Sequence, residues 1–81
     1  MSKKKLWRVD VEVHSRHTSQ CFVRYVRAKD YDEADVLTDE YSANYKLKRG
    51  QWLQIDLSLT PVKRPSAINS ESVINPEDEN A

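Results

Sequence analysis

Eighty-one residues allow one domain, and a chain this short removes only about 60% of its unfolded surface from water, so its core is thin. A single Cys excludes an internal disulfide, a single Gly excludes a glycine-rich phosphate loop, and no run approaches the roughly 18 uncharged residues of a membrane helix. The formal charge is zero, yet residues 1–64 hold all 13 Lys and Arg and nine of the 13 Asp and Glu, a net +4, against −4 on residues 65–81; such a separation bears on partners, not on fold.

The start, MSKKKLWRVD, is basic but lacks the apolar stretch of a leader peptide. With a lone thiol it fits a reducing compartment, and a cytoplasmic protein is expected. From Leu6 to His14, Trp7, Val9, Val11 and Val13 alternate with Arg8, Asp10 and Glu12. Period two predicts a half-buried strand. Gln20 to Ala28 is rich in β-branched and aromatic residues and predicts a second strand, but its alternation leaves two phases open. If Phe22, Val26 and Ala28 face inward, Arg24 is stranded with them unless a bulge rescues it; the opposite phase turns Phe22, Arg24 and Val26 outward. The first is preferred, because Ala28 leads into a close turn.

Asp30, with Glu33 three residues on, has the spacing of a helix cap, and Ala34, Leu37, Thr38, Tyr41 and Tyr45 then fall on one helical stripe. The acids of the first turn suit the positive end of the macrodipole. Gly50 fits a turn that requires positive φ. Leu53, Ile55, Leu57 and Leu59 alternate with Trp52, Gln54, Asp56 and Ser58, a third strand with its apolar side toward the core.

The expectation is an α+β domain over residues 1–64, β-β-α-β. A helix of about 15 residues and a strand of seven both span roughly 22 Å, so the helix returns along the sheet. Sheet order 2-1-3, wholly antiparallel with the helix on one face, follows naturally; order 1-2-3 with a parallel 2-3 pair is the alternative. Residues 65–81 are poor in apolar groups and read as a disordered acidic tail, whose deletion should leave thermal stability nearly unchanged.

Between the first two strands, HSRHTSQC places His14, His17 and Cys21 close in sequence. A structural zinc needs four ligands, and no second cluster completes the set. A Cys-His nucleophile needs a cleft and an orienting group that so short a loop does not supply. The stretch reads as a hairpin turn, without metal or cofactor, and the chain as non-enzymatic.

One helix covers one sheet face, leaving the other for water or a partner. The first functional reading is a protein-binding module, an inhibitor or adaptor, that uses this face or the sheet edges, with Trp52, Tyr25, Arg8, Arg27 and Gln54 as the binding residues and Trp52, Tyr25, Arg8 and Arg27 forming a cluster. The same surface would also serve a homodimer. In size and style the chain is similar to small bacteriophage or mobile-element proteins that bind host machinery, though no motif carries that likeness. The alternative is nucleic-acid binding, with Arg16, Arg24, Arg27, Lys46, Lys48 and Arg49 on phosphates and Trp52 and Tyr25 on bases.

Overall fold

The computed structural model describes residues 4–64 and 67–75. Strand β1 (Lys5–His14) is followed by β2 (Ser19–Ala28), helix α1 (Tyr31–Asn44) and β3 (Trp52–Pro61). The sheet order is β2-β1-β3, antiparallel throughout, with β1 central. This is the expected α+β arrangement.

β1 and β2 pair without a break from Lys5↔Ala28 to His14↔Ser19. That register sets Trp7, Val9 and Val11 opposite Val26, Arg24 and Phe22, on the side that α1 covers. Phe22, Val26 and Ala28 therefore face inward, the phase expected, and Arg24 comes with them. No bulge rescues it. The guanidinium instead lies over the Phe22 ring, 4.5 Å from its centroid, and donates from Nη1 to the Val23 carbonyl at 2.9 Å. A charge that keeps a polar partner and rests on a π face need not be expelled.

Alternation on β1 builds the centre of the core: Val9, Val11 and Val26 are fully buried, with Trp7, Ala28 and Ala34 around them. Trp7 satisfies its indole N–H on the Ala28 carbonyl at 3.1 Å and meets Tyr31 edge-on, centroids 6.0 Å apart. Helix α1 starts where the cap spacing predicts. The Asp30 carboxylate accepts from the Glu33 N–H at 2.9 Å, and the Glu33 carboxylate reaches back to the Lys29 N–H at 2.8 Å. Ala34 and Thr38 are buried, and Thr38 donates its hydroxyl to the Ala34 carbonyl at 2.7 Å, so the buried oxygen is not orphaned.

The third strand departs from its sequence pattern. Val9 faces Leu57 and Trp7 faces Pro61, so Ser58, Leu59 and Thr60 stand opposite Arg8 alone. This bulge carries two extra residues and is closed by the Ser58 hydroxyl on the Thr60 carbonyl at 2.9 Å. Leu59, expected on the core side, is thrown outward and is 79% exposed. The inward row of β3 ends at Leu57.

Within the segment whose composition reads as disordered, residues 67–75 lie against the sheet. A 3-10 turn (Ser70–Ser72) leads to Val73, which bridges to Tyr25 in parallel sense, and the Ile74 N–H donates to the Tyr25 carbonyl at 2.7 Å. Asn75 accepts from the Arg27 N–H at 2.8 Å and donates to the Arg27 carbonyl at 2.9 Å, so its amide imitates a strand neighbour. Val73 is buried and Ile74 packs on the main core. Two apolar side chains and one amide thus order a stretch whose average composition is polar. Residues 65–66 and 76–81 lie outside the described residues.

Candidate functional site: the uncovered face, the β3 edge and the loop end

The face away from α1 carries Leu6, Arg8, Asp10, Glu12 and His14 on β1, Cys21, Val23, Tyr25 and Arg27 on β2, and Trp52, Gln54 and Asp56 on β3. Its two ends differ. At the Leu6 end the face is closed: Leu6 is 3% exposed and Val73, paired with Tyr25, is 6% exposed. Toward the hairpin it is open and mixed. Arg8 binds Asp10 at 3.0 Å, and Cys21, Val23, Glu12 and Asp56 line a shallow depression beside them.

The expected cluster of Trp52, Tyr25, Arg8 and Arg27 does not form. The register pairs Trp52 with His14 and Arg27 with Leu6, eight positions apart along β1, or about 26 Å at strand rise. Arg8 and Tyr25 are neighbours across β1 and β2, whereas Gln54 sits near Trp52, opposite Glu12. Tyr25 and Arg27 have backbones engaged by Ile74 and Asn75. Sequence phase assigned these residues to the right face; it did not carry their spacing along it.

Trp52 is 54% exposed and stacks on His14, ring centroids 5.5 Å apart and planes 23° from parallel. His14 is held on both ring nitrogens, by Glu12 at 2.9 Å and Ser19 at 3.0 Å. The indole therefore rests on a fixed platform and offers its remaining surface outward. The hairpin turn is self-capped: the Ser15 N–H donates to the Thr18 carbonyl at 2.8 Å and the two hydroxyls meet at 2.8 Å, leaving Arg16 and His17 exposed. Among the described residues no group of three or more His, Cys, Asp or Glu is placed to hold a metal ion.

β3 is an edge strand, and its outer side pairs with nothing among the described residues. Between it and α1 runs a groove of about 400 Å³ lined by Tyr31, Asp35, Thr38, Asp39, Ile55 and Asp56. Asp35 and Asp39 bring two carboxylates to it from α1, whereas Asp56 borders it from β3 with its side chain on the opposite face. The other outer strand, β2, is covered in part by Val73–Asn75, so the expectation of two available edges holds fully only for β3.

Of the proposed phosphate contacts, Arg16 lies in the hairpin turn and Lys46, Lys48 and Arg49 lie in the loop before β3. Both loops meet at one end of the sheet, because Trp52, which follows the second, pairs with His14, which precedes the first. Gly50, at φ 83°, and the Gln51 N–H on the Lys48 carbonyl at 3.0 Å shape that loop. Arg24 faces α1 and Arg27 lies at the opposite end of β2, so neither belongs to this group. Among the described residues no helix is long and apolar enough to cross a membrane. No protein-family model matches the chain, and no curated protein or solved structure matches it either.

Proposed function

We propose that this chain is a non-enzymatic protein-binding module that receives an extended segment of its partner along the outer edge of β3. The observation that carries this reading is the contrast between the two edges. β2 is partly occupied by the chain's own residues 73–75, whereas the outer side of β3 has no strand partner among the described residues and lies beside an acidic groove. An added strand gains main-chain hydrogen bonds, and pockets for alternate side chains give it specificity. Asp35 and Asp39 favour a partner segment bearing Lys or Arg, and exposed Trp52 is the natural anchor at the start of the strand.

The test is capture of a partner by the full chain, repeated with Trp52→Ala and with Asp35→Lys/Asp39→Lys. Trp52→Ala should weaken binding by about 2 kcal/mol with the fold intact. The double charge reversal should abolish capture. A partner held equally by all three proteins would refute the edge assignment, and a complex consisting of two copies of the chain would make the partner itself.

A further inference from the structure

We infer that the loop end of the sheet is a binding surface for single-stranded nucleic acid. Arg16, Lys46, Lys48 and Arg49 are all exposed there, and residues 13–29 and 41–55, which include this end, contain no Asp or Glu. The nearest acid on β1, Glu12, is engaged with His14. A weak overall charge of zero is thus gathered locally into one sign, beside an aromatic pair with an accessible indole. Cations that follow a backbone and an aromatic face on which bases stack are the two components of single-strand recognition.

Duplex binding by α1 is disfavoured, since Asp32, Asp35, Asp39 and Glu40 are exposed on that helix and would meet phosphates. The basic end presents four exposed cations to an anion from outside. Apart from Trp52 at its rim, it is separate from the acidic β3 groove, and the inference stands independently of the protein-binding reading.

The experiment is titration of a fluorescein-labelled twelve-nucleotide oligothymidylate with the full chain over a range of salt, followed by anisotropy of the label for every variant and by tryptophan fluorescence for those that keep Trp52. Trp7 is buried, so quenching reports Trp52. Binding is expected to weaken with salt at a log–log slope of about −3, the value for four single-strand phosphate contacts. Lys48→Glu/Arg49→Glu should weaken binding at least tenfold, and Trp52→Phe should retain more affinity than Trp52→Ala. Absence of binding at low salt would overturn the inference. So would equal binding of polyglutamate with no effect of Trp52→Ala, which would mark a plain anion patch, or a clear preference for duplex over single strand. The charge reversals leave the β3 groove untouched, so protein capture that survives them separates the two surfaces.

Discussion

Arg24 lies over Phe22 inside the layer between sheet and helix, its guanidinium carbon 4.5 Å from the ring centroid. The side chain contributes through stem packing and π contact rather than through an ion pair, since among the described residues no carboxylate is paired with it. Arg24→Met should therefore change unfolding free energy by less than about 1.5 kcal/mol, whereas Arg24→Asp, which places an acid over the ring face, should cost about 3 kcal/mol or more. Urea denaturation of both variants measures this.

Arg24 also bears on Tyr41. Burial pushes the Tyr41 hydroxyl above its ordinary value of 10.0, and the neighbouring guanidinium offsets part of that rise. A raised folded value means that the neutral phenol is favoured in the native state. Its contribution is complete below pH 10 and is lost as pH climbs through the folded value. The difference in stability between Tyr41→Phe and the parent should therefore shift in favour of the variant as pH rises above 10, read by denaturation at each pH.

Residues 73–75 close part of the β2 edge. Val73→Asp, at a site 6% exposed, should destabilise by about 2 kcal/mol, and Asn75→Ala, which removes two hydrogen bonds to Arg27, by about 1 kcal/mol. For a domain of this size each kcal/mol lowers the melting temperature by about 4–8 °C. Calorimetry of the variants would show it, and unchanged melting would mean that the segment contributes nothing to stability.

The cap of α1 gives a further prediction. Asp30→Ala should cost about 1 kcal/mol, because the Glu33 N–H loses its acceptor, while Asp30→Asn should be nearly silent. Leu59 provides the opposite case: Leu59→Ser should stay within about 0.5 kcal/mol of the parent, since the bulge already holds the side chain in water.

Much of this architecture is legible in the sequence because its signals are local. Alternation along β1, the Asp30 cap and the helical stripe from Ala34 to Tyr41 each fix an element without reference to the rest of the chain. Helix and strand lengths then lead to the order 2-1-3. What the sequence does not carry is pairing offset. Leu59 continues a perfect alternation, yet Pro61, not Leu59, faces Trp7, and nothing local announces the bulge. The binding residues show the same limit: Trp52 and Arg27 share a face by phase but lie at opposite ends by register. Val73 and Ile74 are hidden for another reason, since two apolar residues vanish in the average of a polar window. The basic end is visible in sequence as residues but not as a group, because the loops of Arg16 and Lys48 come to the same end of the sheet only once His14 pairs with Trp52.

The central position of β1 has a consequence for how the molecule is made. Of the three strands, the one synthesised first is the one with two neighbours, and its second neighbour, β3, lies on the far side of the helix in sequence. The β1–β2 hairpin can zip early, but one side of β1 then waits with unpaired backbone until Pro61 has been synthesised. Such long-range closure slows folding, and an exposed strand in the interim invites wrong pairing. Nascent chains halted before β3 should thus be the aggregation-prone species of this protein, and production of the chain should benefit from slow synthesis or chaperone cover.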